Sequence, residues 1–508
     1  MQFSVLAPPR LPDLTARGRA YLIIDDWNDW FEYTTMYRLL YVDDAGKQHM
    51  IGNVKIGQSN MGDKKRRPTI GDNFTTLGDD FFSVGQDDSY YERLNELGSG
   101  VRDAILIALQ DMAFRHEAFE RGISERVTGV SLLRAVSRSA VLGQFRRMAT
   151  GGARLSPYNF VYNAPRTRAS SGVRLSFEVK PDSQPPTNIH VLIGRNGVGK
   201  TYLLNQMARA IVEAGPASDD RGRFESEEIR EDGPFAGLVS VTFSAFDPFE
   251  PLPDRRDRAA SPRCAYIGLR RAGASPESPK LPKSPRQLRE EFADSVLVCH
   301  QGARLSRWRR ALEALETDPI FQSAQISAIA GDDDEEVRKK ASRQFSQLSS
   351  GHKIVLLMMT RLVETVEERT LVLLDEPEAH LHPPLLSAFV RALSDLMVNR
   401  NGVAIIATHS PVVLQEVPKS CVWKIRRTGH ETTAERPDIE TFGENVGILT
   451  REAFGLEVTD SGFHRLLRGA LADRSFEAVV KHFGAELGSE ARALVRAMVA
   501  TRENGNDK

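Results

Sequence analysis

The chain has 508 residues, 41% hydrophobic and 27% charged, which suits a globular protein with more than one core and excludes a disordered or fibrous one. Lys and Arg total 67 against 68 Asp and Glu, so no molecule-wide positive field draws it to nucleic acid and any basic surface has to be local. Three scattered cysteines, Cys264, Cys299 and Cys421, form no CxxC pair, which sets aside a disulfide framework or zinc site.

No apolar run reaches the roughly 18 residues of a membrane helix, and the first residues lack a signal-peptide layout. A cytoplasmic chain without a membrane partner is expected. Phe31 to Tyr41 alternates apolar and polar residues as a half-buried strand does, Asp43 to Gly46 is a turn, and His49 to Ile56 returns as a second strand. Lys64 to Arg67 is a short basic stretch. From about Ser89 to Met148 the spacing becomes helical, through Val101, Ile105, Ala108 and Met112. Residues 1–165 therefore read as a β-then-α module. Val173 to Val179 opens a new strand, and His190 to Ile193 is a buried one. The stretch 247–285, rich in Pro, Arg, Ser and Asp, predicts an irregular or mobile insertion. Helical spacing returns from Gln287 to about Ile329, strands at Thr370 to Leu374 and Val403 to Ala407, and helices from about Gly443 onward. Alternation of strands and helices predicts an α/β fold, a mixed sheet flanked by helices over residues 166–440, with a helical segment over 441–508.

Gly194-Arg195-Asn196-Gly197-Val198-Gly199-Lys200-Thr201 matches G-x-x-x-x-G-K-[ST] after a buried strand and before an apolar helix, the context a phosphate loop needs. Its glycines turn backbone N–H groups inward around phosphates, and the helix start adds partial positive charge. Lys200 is expected to bridge the β- and γ-phosphates of ATP and the Thr201 hydroxyl to ligate Mg²⁺; Tyr202 completes the run assigned to ATP. Leu371 to Leu374 then bury a strand that delivers Asp375 and Glu376 at its C-terminal end, where ligands bind in open α/β sheets. Asp375 is expected to hold Mg²⁺ and Glu376 to polarise the attacking water as general base.

Between these lies Gln347-Leu348-Ser349-Ser350-Gly351-His352, whose small residues open a helix 24 positions before Asp375, counted from Gly351. Such a start is either a plain N-cap or, since the phosphate loop already occupies one side of the nucleotide, a cap of Ser349, Ser350 and Gly351 on the γ-phosphate of a neighbour's ATP. Ala407-Thr408-His409-Ser410 follows another buried strand, and His409 is placed to report on the γ-phosphate. His380 and His382 lack the partners of a metal site and read as loop residues.

In this order the four motifs resemble the ATP-binding-cassette head: phosphate loop, LSGGQ-like signature, Asp-Glu pair and switch histidine. Asp375-Glu-Pro-Glu-Ala-His-Leu-His-Pro383 resembles the version of the RecF/Rad50/OLD-like branch (AAA_15/AAA_21-like). The resemblance implies a P-loop ABC-ATPase head, with residues 245–345 as insertion and helical subdomain. It further implies ATP sandwiched in a homodimer or higher even oligomer, and a loop from Glu378 to Pro383 by which two sites sense each other. The chain departs from the pattern in three places. No glutamine marks the Q-loop near Ser244 to Pro248, no sustained heptads for a coiled-coil arm lie between Lys200 and Leu348, and no Toprim-type acidic pattern follows His409.

By that resemblance the chain is expected to be the ATPase subunit of a bacterial anti-phage complex of the Septu kind, working with a separate nuclease or effector. A RecF-like DNA repair ATPase is the alternative. A transporter's nucleotide-binding subunit fits poorly with the long N-terminal module. DNA is a candidate ligand through Lys64 to Arg67, Arg134, Arg138, Arg146, Arg147 and the arginines of 255–271; each also reads as a solvated charged face.

Overall fold

The computed structural model describes the chain except for residues 9–11, 13–15, 27–31, 63–65, 153–154, 168–169, 214–220, 227–234, 244–248, 250–262, 272–281, 301–303, 332, 456–461, 472–473, 485 and 507–508. The N-terminal part is built on six strands, β1 (Gln2–Leu6), β2 (Arg19–Ile24), β3 (Met36–Val42), β4 (Gln48–Gln58), β5 (Asn73–Phe74) and β6 (Phe81–Gly85), in the order β5-β1-β2-β3-β4-β6. β3 was expected to be half-buried, yet only Arg38 of it is exposed. The helices Asp88–Glu96, Ser99–Ala108 and His116–Ile123 supply apolar side chains to the core on one face, including Tyr90, Ile105 and Phe119. Tyr21, Leu40 and Val42 form a second small cluster that covers the other. A strand covered on both faces loses its alternation.

The rest of the described chain is organised around a seven-stranded sheet, preceded by β7 (Tyr158–Asn163) and β8 (Arg174–Val179). Its strands are β9 (Ile189–Ile193), β11 (Gly237–Thr242), β12 (Arg263–Gly268), β13 (Thr370–Asp375), β14 (Val403–Thr408), β15 (Val422–Thr428) and β16 (Glu431–Glu435), in the order β12-β11-β13-β14-β9-β15-β16. All neighbours are parallel except β15 and β16. Alternate residues sort to two cores. Val191, Ile193, Val372, Leu374, Ala404 and Ile406 face the helices Pro285–Cys299, Arg304–Leu315, Ser350–Thr365 and Pro383–Asn399. Leu192, Leu371, Leu373, Ile405 and Ala407 face the helix Lys200–Val212 and a three-stranded sheet, in which β7 lies between β8 and β10 (Arg223–Ser226). One face therefore carries helices and the other a helix plus a small antiparallel sheet.

Of the irregular insertion expected over 247–285, residues 247–248, 250–262 and 272–281 lie outside the described residues, and β12 corrects the expectation only over Arg263–Gly268. Cys264, Tyr266 and Ile267 are buried, and the strand pairs with β11 along its whole length, because the apolar edge of β11 needs a neighbour. The Ser244 to Pro248 segment, where a Q-loop glutamine was sought, lies outside the described residues. The C-terminal segment is helical as expected, with helices Val446–Phe454, Phe463–Leu471, Phe476–His482 and Ser489–Asn506.

The N-terminal part is joined to the large sheet through buried charge. Glu368, which stands two residues before β13, accepts a hydrogen bond from the Gln144 amide at 2.5 Å and pairs with Arg147 at 3.1 Å. Arg307 of the helix Arg304–Leu315 pairs with Asp87 at 2.9 Å.

Candidate functional site

The phosphate loop leaves β9 at Gly194, where backbone crowding forbids a side chain: a Cβ there would lie 2.3 Å from the Ile425 carbonyl oxygen of β15. Gly197 and Gly199 have φ of +82° and +101°, and open space surrounds the position a Cβ would take in each, so their requirement is conformational. Val198 is buried and pins the loop, while Arg195, Asn196 and Gly197 face outward. The helix Lys200–Val212 starts at Gly199 with no side chain capping its first turn, the arrangement in which backbone amides face an anion. Lys200 is 4% exposed and donates from Nζ to the carbonyls of Gly194 at 3.0 Å and Arg195 at 3.1 Å. Burial pulls its ammonium below the usual lysine range, against the opposing pull of the Glu376, Asp375 and Glu378 carboxylates. The Tyr202 ring is 37% exposed and stands 6.2 Å from that of Phe249.

Register brings the other motifs to the same edge. Asp375 of β13 pairs across with Ala407 of β14, and Thr408 with Ile193 of β9, so three adjacent parallel strands end together. Their C-terminal ends carry the phosphate loop, the Asp375-Glu376 pair and His409. Glu376 has φ +46° and ψ +57°, a left-handed conformation that a non-glycine residue adopts at a cost of about 1–3 kcal/mol and that clusters at functional sites. Its amide donates to the Ala407 carbonyl at 2.9 Å, which fixes the turn and leaves its side chain a third exposed. The Thr201 hydroxyl and the Asp375 carboxylate are hard oxygen donors, and this donor set suits Mg²⁺.

Glu378 was read from sequence only as part of a loop. In the structure its Oε1 accepts from Thr408 Oγ1 at 2.6 Å and from the His409 amide at 2.7 Å, and lies 3.2 Å from His409 Nδ1. His409 Nδ1 is also 3.6 Å from Glu376 Oε1. A mostly buried carboxylate thus holds the imidazole beside the general-base candidate. The clue available in the sequence was a glutamate two residues past Glu376 together with Thr408 before His409.

Ser349 is the N-cap of the helix Ser350–Thr365, and Ser349 and Ser350 are exposed. Gly351 is required by a close approach: a Cβ there would lie 2.5 Å from the His380 carbonyl oxygen. The signature helix is thereby seated on the turn Pro377–His380, which begins one residue after Glu376. Ser349 Oγ is 2.6 Å from His352 Nδ1, His352 Nε2 is 3.1 Å from Asp318 Oδ1, and His382 Nε2 is 3.6 Å from Asp318 Oδ2. Sequence reading missed Asp318 and gave His352 no role beyond the last position of the motif; the two lie 34 positions apart. Among the described residues no cluster of three or more His, Cys, Asp or Glu could hold a metal ion.

Of the basic residues singled out as a DNA surface, Lys64, Lys65, Arg255, Arg256 and Arg258 lie outside the described residues, Arg67 pairs with Asp26 at 2.8 Å, and Arg147 pairs with Glu368 at 3.1 Å. Arg138 lies over the Phe119 ring at 5.6 Å, and Arg146 is 3.3 Å from His116. Arg134 lines a cavity of about 200 Å³ beneath β11 and β13 together with Arg263, which pairs with Glu367 at 2.9 Å. No helix of the described residues is long and apolar enough to cross a membrane.

Residues 303–415 match a family model described as "AAA domain, putative AbiEii toxin, Type IV TA system", a span that holds the signature helix, Asp375-Glu376 and His409. Part of the chain also resembles two solved ATP-binding cassettes of ABC transporters. Against cbiO1 from Clostridium perfringens the identity is 15%, the coverage 61% of this chain and 98% of that one, and the TM-score 0.30. For a second cassette the figures are 14%, 60%, 98% and 0.33. Protein ea59 of Escherichia phage lambda is 40% identical over 531 aligned positions, which cover 99% of this chain and 99% of that protein. The chain carries a P-loop ATPase domain of the AAA type and belongs to the family of phage lambda protein ea59.

Proposed function

We propose that the protein binds and hydrolyses ATP, and that two copies close on the nucleotide, each completing the other's site. The convergence of Lys200, Glu376 and His409 at the ends of three adjacent strands, with Glu376 held in a left-handed turn, is the observation that carries this reading. Lys200 and the first-turn amides bind the phosphates, Glu376 takes the proton of the attacking water, and His409, set by Glu378, contacts the γ-phosphate. Mg²⁺, held through Thr201 and Asp375, supplies charge neutralisation when bound. Ser349, Ser350 and Gly351 are exposed or partly so at a helix start, which suits a cap on the partner's ATP. ATPase assays over protein concentration test the pairing: turnover per copy should rise as dimers form, and Ser349→Arg should abolish that rise. Concentration-independent turnover that Ser349→Arg leaves intact contradicts it.

The wider role we infer is an ATPase component of a defence assembly that also contains a separate effector. The matched family description, which names a toxin of a toxin–antitoxin system, supports this direction. Co-purification of the untagged neighbours of a tagged chain tests it, and a chain recovered alone in its native host counts against it.

A further inference from the structure

Ser349 is not a free hydroxyl. It is the end of a line of three polar groups drawn from two helices: Asp318, which caps the helix Pro319–Ala324, then His352 of the helix Ser350–Thr365, then Ser349, which caps that same helix. His352 is 6% exposed, and the titratable groups that face it from packed elements are Asp318 and His382. Asp318 also accepts from the amides of Ile320 at 2.8 Å and Phe321 at 3.3 Å. Burial raises its carboxyl, but those amides and the imidazole outweigh burial and hold it below the usual aspartate range. It is therefore a carboxylate, an acceptor only.

The proton count follows from that. With Asp318 accepting, His352 Nε2 must carry a hydrogen. In a neutral imidazole Nδ1 is then bare, and the 2.6 Å contact requires the Ser349 O–H to donate to it. Ser349 then offers outward only lone pairs, which repel a phosphate oxygen. In the imidazolium, Nδ1–H donates to Ser349 Oγ, and the hydroxyl proton is released to point outward. We propose that His352 is a positioning residue whose protonation decides whether the signature serine can donate to a nucleotide phosphate, so that ATP-driven pairing requires the charged imidazole. This rests on the reading that Ser349 meets the partner's ATP.

The sign is fixed by linkage. Phosphate engagement selects the protonated form, so pairing is strongest at low pH and weakens as the pH rises. Two substitutions separate this from a structural role. Asp318→Asn, whose amide oxygen takes over the contacts of Oδ1 with the Ile320 and Phe321 amides and with Nε2, still accepts from Nε2 but removes the charge that favours the imidazolium, so pairing should fall off at lower pH than in the parent. His352→Gln can donate to Asp318 only by turning its carbonyl toward Ser349, which fixes the blocked arrangement.

The test measures association by light scattering, with ATP and Mg²⁺ from pH 6 to 9, on the hydrolysis-impaired Glu376→Gln protein alone and with each change added. Imidazole ¹⁵N shifts of histidine-labelled protein are recorded in parallel. The expected result is an alkaline loss of pairing in the parent, the same loss displaced to lower pH with Asp318→Asn, weak and pH-independent pairing with His352→Gln, and a His352 Nδ1 that changes from acceptor to donor when ATP is added. A parent without alkaline loss, or variants that follow its curve, or an unchanged Nδ1 signal, overturns the proposal. If Ser349→Arg pairs as the parent does, the composite-site reading fails instead.

Discussion

The Oε1 atom of Glu378 accepts a hydrogen bond from the His409 amide at 2.7 Å and stands 3.2 Å from the same residue's Nδ1, so one carboxylate fixes both the backbone and the ring of His409. Glu378 is only 8% exposed and is held as well by Thr408. Its function is to orient, since His409 and Glu376 are the more open groups. Glu378→Ala is expected to lower turnover by about tenfold or more while nucleotide affinity changes little, because binding rests on the phosphate loop and not on this contact. Steady-state kinetics beside equilibrium binding of a fluorescent ATP analogue separate the two; an equal loss in both would place Glu378 in binding.

The left-handed backbone of Glu376 makes a second, opposed pair of effects. Asn tolerates this conformation better than Glu does. Glu376→Asn should lose about 10²-fold or more in turnover and yet be as stable as the parent or stabler by up to about 1 kcal/mol. Calorimetry with an ATPase assay checks it. A clear loss of stability would mean that the glutamate side chain, and not the reaction, fixes the turn.

Glu368 ties the N-terminal part to the strand that delivers Asp375. Its burial raises its carboxyl above the usual range, against the lowering pull of Arg147. Arg147→Ala leaves a buried carboxylate short of its cation and should cost about 3 kcal/mol, and adding Glu368→Gln should recover part of the loss. Denaturant unfolding of the two single and the double variant gives the coupling. Additive losses would show that the pair holds nothing together.

Asp111, fully buried in the N-terminal core, accepts from Tyr91 Oη at 3.1 Å and from the amides of Ala113 and Phe114. Burial pushes its carboxyl up to about 7, against those hydrogen bonds. A raised carboxylate pKa stabilises the fold while the group is protonated, so this contribution is whole near pH 4 and is lost as pH rises through about 7. Asp111→Asn should flatten the stability profile between pH 5 and 8, a difference on the order of a few kcal/mol. Thermal unfolding over that range decides, and a parallel profile in the variant would reject the assignment.

The four motifs were legible because each is local: a glycine turn that needs left-handed φ, a buried strand ending in two acids, a helix opened by small residues, a histidine at a strand end. The residues that organise them were not, because their partners are remote. Glu378 acts on Thr408 and His409 some 30 positions on, and Asp318 reaches His352 across 34. β12 was hidden for another reason. Its six residues sit in a stretch whose Pro, Arg and Ser content outweighs the buried Cys264, Tyr266 and Ile267, and only pairing with β11 reveals them as strand. β3 misled because the alternation read over Phe31 to Tyr41 came from Glu32, Thr34 and Thr35, which precede the strand, while within Met36–Val42 only Arg38 is polar.

The central claim is that ATP is held between two copies, and the mass of the Glu376→Gln protein in solution tests it most directly. Multi-angle light scattering with saturating ATP and Mg²⁺ should give twice the 56.5 kDa of one chain, and Ser349→Arg in that background should return it to one. A mass that ATP leaves unchanged, or a doubling that Ser349→Arg does not disturb, would contradict the account.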